Sequence, residues 1–291
     1  MKKSKAISLF LAVMAIAFFS HSLSFAQEKN TGAHPEEGTT HPFFLEIGAK
    51  YFYTDYKEEI NPPGKSTNSD WLPGVHLGIG YRKIDGFYAG LYGSYASGDL
   101  TYDGSDQMGT KIYFSNDPQT FYRFEANIGY AFKTGKKTFL VPFMGYGYRY
   151  WKRGEANVPL GNYKEEYDWH YLPLGIKVEH GLNEQWRIGV TAAAHFMFMG
   201  RLKVSLSELD PGYNNPGLHL GDKIGLYGAI PISCKLTENW SVIGTPWYEY
   251  RPIGESDLQI LTYYGTAISL LREPASTTHQ YGFDLTAAYA F

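Results

Sequence analysis

The feature that most constrains this chain is a two-residue rhythm of apolar and polar side chains, recurring through segment after segment. Side chains alternate faces along a strand, so this rhythm predicts strands with two unlike faces. In 43–55, Phe43, Leu45, Ile47, Ala49, Tyr51 and Tyr53 share one face and Glu46, Gly48 and Lys50 the other. In 71–83, Trp71, Val75, Leu77, Ile79 and Tyr81 oppose His76 and Arg82. In 120–133, Tyr122, Phe124, Ala126, Ile128, Tyr130 and Phe132 oppose Arg123 and Glu125; in 168–180, Leu172, Leu174, Ile176 and Val178 oppose Lys177 and Glu179. The longest run, 186–204, sets Trp186, Ile188, Val190, Ala192, Ala194, Phe196 and Phe198 against Arg187, Thr191, His195 and Arg201. The last, 279–291, sets Tyr281, Phe283, Leu285, Ala287, Tyr289 and Phe291 against Gln280, Asp284 and Thr286. Segments 86–97, 138–151, 219–236 and 240–252 fit less cleanly, and in the first two the apolar face is ambiguous. Ten strands are expected.

Connector lengths alternate as well. Short turns fall at 83–86, 133–137, 181–185 and 237–239, and long polar loops at 56–70, 98–119, 152–167, 205–218 and 253–278. Placing every long loop at one end, with an even strand number, predicts a closed antiparallel transmembrane β-barrel with short periplasmic turns and long extracellular loops. Pro73, Pro142, Pro173, Pro231 and Pro246 fall inside expected strands, where each removes a ladder donor. They mark either bulges and bends or segments that do not span.

The mature chain is expected to be exported. Lys2, Lys3 and Lys5 precede an apolar run over 6–19, and Ser24-Phe25-Ala26 supplies small residues at a cleavage site, so 1–26 reads as a signal peptide. Its removal takes the formal charge from -3 to -6 with the loss of those three lysines. Residues 27–42 read as a flexible polar leader and 43–291 as the barrel. The single cysteine, Cys234, excludes a disulfide framework, and the slight acidity argues against nucleic acid as a partner. No cofactor or metal site is indicated.

Aromatic residues are 17% of the chain, and they gather at strand ends. Tyr81, Tyr130, Phe132, Trp186, Trp240, Tyr289 and Phe291 stand beside the short turns; Trp71, Tyr148, Tyr150, Trp151, Tyr248 and Tyr250 stand beside the long loops. Two membrane girdles are therefore expected. The terminal stretch from Tyr281 to Phe291 resembles the last strand of Gram-negative outer-membrane barrels. That resemblance implies a bacterial outer-membrane location, contact with lipid and lipopolysaccharide, and recognition of the final strand by the barrel-assembly machinery. Length and strand number resemble the omptin surface proteases, yet their paired acidic and His–Asp motifs are not found. Asp168-Trp169-His170 has suitable residue types without a second acidic pair.

Alternation assigns Glu46, Lys50, His76, Arg82, Arg123, Glu125, Lys177, Glu179, Arg187, His195, Arg201, Glu249, Arg251 and Asp284 to the lumen. Mixed signs predict a charge network filling a narrow barrel, the alternative being a selectivity lining or a catalytic group. His76, His195 and His170 are the candidate general bases. The outer loops are expected to be acidic, through residues such as Glu58, Glu59, Asp117, Glu165 and Glu166, and rich in Tyr. Three functions follow: a structural, adhesive or surface-interaction barrel, a narrow channel with weak anion preference, and a surface hydrolase. The first is expected, with no enzymatic activity.

Overall fold

A computed structural model describes residues 42–62, 64–105, 109–156 and 162–291. The expected signal segment, and the leader up to residue 41, lie outside the described residues. Alternation does become strands: β1 (Phe43–Glu58), β2 (Ser66–Arg82), β3 (Gly86–Ser105), β4 (Lys111–Lys133), β5 (Thr138–Arg153), β6 (Glu165–Gly181), β7 (Trp186–Val204), β8 (Gly217–Leu220), β9 (Ile224–Ala229), β10 (Ile232–Lys235), β11 (Trp240–Ile253), β12 (Gln259–Tyr263), β13 (Thr266–Leu271) and β14 (Ser276–Ala290). Each of β1 to β7 pairs antiparallel with the next, and β14 lies between β11 and β1. The β1–β14 ladder runs from Phe44 opposite Ala290 to Glu58 opposite Ser276 and closes the wall. β8, β9 and β10 together make one stave, with all three paired to β7 and the last two also to β11. β12 and β13 form a separate hairpin. The barrel thus has ten staves.

The expected single strand over 219–236 is broken, and Pro231 explains one of the breaks. It has no N–H to give, so its carbonyl takes the Gly189 N–H at 2.7 Å while the Ile230 N–H turns to the Pro246 carbonyl at 3.0 Å. The other four prolines sit in continuous strands, and three interrupt one ladder only. Pro73 pairs with Tyr51, but the β2–β3 ladder has no pair between Ser69 and Gly74. Pro142 opposes Ile176 while the β4–β5 ladder skips its position, and Pro173 opposes His195 while the β5–β6 ladder skips.

The outer connections are shorter than the polarity of the sequence implies. β3 runs on to Ser105 and β4 starts at Lys111, inside the stretch expected as a loop. Polar residues there do not end the strand, because the wall has left the bilayer. The longest outer connection carries the β12–β13 hairpin, turned by Tyr264 (φ 45) and Gly265 (φ 79), the two consecutive positive φ values of a tight hairpin loop.

Outward side chains from Phe43 to Tyr53 along β1 are half exposed and apolar or aromatic. Ten strand steps of ~3.3 Å, tilted by ~40°, span about 25 Å, the height of a bilayer-facing band. Its lower edge holds Phe43 against Tyr81 and Phe291, and Trp240 against Tyr289. Its upper edge holds Trp71 against Tyr51, Tyr53 and Tyr281. Tyr130, Phe132 and Trp186 also face outward.

Above that edge the two faces exchange character. Tyr56, Trp151, Tyr167, Leu202, Val204, Leu218 and Ile253 point inward and form an apolar core. Trp151 therefore belongs to this core and not to the outer girdle. Burial of apolar groups against water can drive packing here, whereas inside the bilayer the apolar face is turned to lipid. On β7 the exchange needs a bulge: Met199 takes φ 53, and the β6–β7 register shifts between Asp168 and His170. Leu202 and Val204 thereby turn inward, and Arg201 turns outward, 57% exposed, with its Nε 3.7 Å from Asp168. Arg201 is not a lumen residue.

Candidate functional site

The lumen is filled by charged side chains in stacked layers. At the periplasmic end Glu179 accepts from Arg82 Nη1 at 2.6 Å and from Arg187 Nη1 at 3.2 Å. Lys177 Nζ donates to Tyr88 Oη at 2.6 Å and lies 4.7 Å from the centre of that ring. Tyr88 and Tyr92 face inward on β3, which is why 86–97 shows no clean apolar face: aromatic rings line both sides. Glu46 sits within the field of Lys177 and Arg82.

One layer up, Asp284 accepts from Lys50 Nζ at 2.9 Å and from Trp247 Nε1 at 2.7 Å. His76 Nε2 lies 2.9 Å from Thr286 Oγ1. Across the barrel, Glu125 binds Arg123 Nη2 at 2.5 Å, Tyr171 Oη at 2.7 Å and Asn127 Nδ2 at 2.8 Å. Glu249 accepts from Arg149 Nη1 and Nη2 and stands 3.1 Å from His195 Nδ1. Arg251 Nη1 reaches Gln280 Oε1 at 3.3 Å. Between these layers remains a cavity of about 50 Å³ bordered by Lys50, Arg123, Arg149, Glu249, Arg251 and Trp247. Opposite charges pair because an ion without a partner in so dry a place costs several kcal/mol.

A fourth cluster, above the aromatic edge, was not legible as a site. Arg153 Nη1 lies 3.1 Å from Glu58 and 3.4 Å from Glu165, and its Nε 4.0 Å from Asp117. Tyr56 and Tyr167 donate to Glu273 Oε1 at 3.2 and 2.8 Å. Burial, partly offset by Arg153, pushes Glu165 up to about 7. Burial, reinforced by Glu58 and Glu165, pushes Glu273 up to about 8. Glu58, Asp117 and Glu165 are thus interior groups, not part of a solvated acidic loop surface. Their inward direction follows from parity along β1, β4 and β6, which continues past the point where the sequence turns polar.

The three candidate bases separate. His76 and His195 sit in the lumen network, and His170 faces outward in the girdle, its Nδ1 2.5 Å from Tyr146 Oη. A pair missed in the sequence stands on the exposed rim, with His219 Nδ1 3.3 Å from Asp257 Oδ2 and the His219 N–H donating to Asp257 Oδ1 at 2.7 Å. Among the described residues no group of three His, Cys, Asp or Glu side chains is arranged to hold a metal ion.

No family model matches the chain, and no curated protein matches it. Solved structures do. The outer membrane protease OmpT from Escherichia coli aligns over 90% of this chain and 99% of its own, with a TM-score of 0.59 at 10% identity. The fold is that of an outer-membrane barrel. Two further structures align more loosely. OprG from Pseudomonas aeruginosa has 11% identity and a TM-score of 0.43, covering 88% of this chain and 99% of its own. The translocator domain of autotransporter NalP from Neisseria meningitidis has 12% identity and a TM-score of 0.42, covering 99% and 98%.

Proposed function

We propose that this protein resides in the bacterial outer membrane and acts at the cell surface, as an adhesive or recognition barrel whose outer hairpin makes the contact. The reading rests on the β12–β13 hairpin, which lies off the barrel wall and holds Ile260, Ile268 and Leu270, with Leu258 just before it, each more than half exposed to water. Tyr264 at its tip is 76% exposed. Exposed apolar groups gathered in this way mark interaction surfaces. The hairpin is also braced: Tyr263 Oη donates to Asp210 at 3.2 Å and Asn214 Oδ1 accepts from the Thr262 N–H at 2.8 Å, so it presents a formed surface. The filled lumen favours this role over a channel. Contact with lipid and lipopolysaccharide along the wall, and assembly through the last strand ending at Phe291, belong to the same proposal.

The test is surface display of the whole chain with Ile260→Ser, Ile268→Ser and Leu270→Ser combined. Loss of adhesion between cells or to host surfaces, with heat-modifiable gel migration unchanged, is the expected result. Adhesion equal to that of the parent, or stepwise conductance of the parent in planar bilayers, would overturn it. A surface hydrolase is the second reading, favoured by the exposed His219–Asp257 contact; hydrolysis of surface peptide or lipid that disappears in His219→Ala would establish it instead.

A further inference from the structure

Arg251 is built differently from the other lumen arginines. Arg82, Arg123, Arg149 and Arg187 each hold a carboxylate, but Arg251, only 6% exposed, has none within 4.0 Å among the described residues. Glu249, two residues earlier on the same face, is already occupied by Arg149 and His195. Nη1 of Arg251 goes to Gln280, which is fixed in turn by its Nε2 donating to Thr54 Oγ1 at 3.0 Å. Its Nε and Nη2 have no partner among the described residues. Those two nitrogens share one edge of the guanidinium plane, the edge that receives two oxygens of one planar anion in parallel.

A second group without a partner lies on the same side of the wall. Thr278 stands opposite Arg251 in the β11–β14 register, and its buried hydroxyl has no partner among the described residues. The guanidinium carbon of Arg251 lies 5.3 Å from the centre of the Trp169 ring, a cation–π contact that steadies the side chain. The adjoining cavity of about 50 Å³ exceeds the ~10–15 Å³ one water needs, and it is too small for a sugar or a peptide.

We infer that the lumen binds a small planar oxyanion of the carboxylate class on the free edge of Arg251, beside the Thr278 hydroxyl. The anion supplies the negative charge that the neighbouring layers supply with Asp or Glu, and it turns three orphaned donors into bonded ones. This goes beyond the surface role proposed above and does not depend on it.

Formate is the probe. The mature chain, folded in nonionic detergent, is titrated with sodium formate and, at matched ionic strength, with sodium methanesulfonate, an anion that can also pair with a guanidinium edge but is bulkier than the small cavity beside it admits. Tryptophan fluorescence reports, since Trp169 lies under Arg251 and Trp247 borders the cavity. A saturable response to formate alone is expected, with a raised unfolding midpoint. Arg251→Gln should abolish it, and Arg251→Lys, which keeps the charge and loses the fork, should weaken it roughly tenfold. If Arg251→Gln lacks the gel shift of a folded barrel, Thr278→Val is read in its place and should weaken formate several-fold. A response that does not saturate, that methanesulfonate reproduces, or that survives Arg251→Gln and Thr278→Val means the edge holds water only, and the proposal fails.

Discussion

Glu249 shows how much one buried charge can govern at the residue scale. It holds Arg149 in a two-pronged pair and His195 beside it, with both members of the ion pair nearly inaccessible to water. Removing one member leaves the other charged and unpaired, a change that costs about 3–5 kcal/mol, whereas removing both costs far less. Glu249→Gln should therefore lower unfolding stability by about that amount, and Arg149→Met combined with Glu249→Leu should recover most of it. Urea unfolding from detergent micelles, followed by tryptophan fluorescence, separates the cases. Equal loss in the single and double variants would mean that these groups act through shape and not through charge. The same logic makes Arg251 conspicuous, since it is a charge with no carboxylate partner among the described residues.

At the scale of the element, β7 records what the sequence could and could not reveal. From Trp186 to Phe198 the alternation is legible because lipid selects every outward side chain for apolarity, and the inward placement of Arg187 and His195 follows from parity alone. Beyond Phe198 the environment outside the wall becomes water, apolar residues belong inside, and the bulge at Met199 moves Leu202 and Val204 there. A reading that extends one rule along the whole strand puts Arg201 in the lumen for that reason. The breaks at 221–223 and 230–231 were hidden too, because a strand's hydrogen-bond partners are set by its neighbours and not by its own pattern. Substitution distinguishes the two regimes on this one strand. Ala192 faces outward midway between Trp186 and Phe198, so Ala192→Arg should cost about 2–4 kcal/mol. Arg201→Ala, above the band and solvated, should change stability by less than about 0.5 kcal/mol. Folding titrations into lipid vesicles measure both, and similar costs would contradict the placement of the bilayer edge.

Taken whole, the barrel joins two stacked halves with opposite solvent logic: polar inside and apolar outside within the bilayer, apolar inside and polar outside above it. The Arg153 cluster lies in the upper half and makes that half sensitive to pH. Glu58 on β1, Asp117 on β4, and Glu165 and Tyr167 on β6 face Arg153 and Glu273, with Tyr56, Tyr102 and Tyr163 alongside. Four carboxyl groups thus share one guanidinium. Glu165 and Glu273 titrate near 7 and 8 in the folded chain, above the usual range of a free carboxyl near ~4.3. Between those values the folded state binds more protons than the unfolded one, so stability falls as pH rises through that window. The contribution is complete below the unfolded value and lost once pH passes about 8. The upper half should accordingly open more readily at pH 8.5 than at pH 5.5, while the bilayer-facing half stays unchanged. Amide exchange along β12, β13 and the start of β14, compared with β1 below Tyr51, reads the two halves separately. Glu273→Gln removes the highest of these titrations and should flatten the pH dependence of the upper half; an unaltered slope in that variant, or equal acceleration in both halves, would show that the cluster does not control the opening.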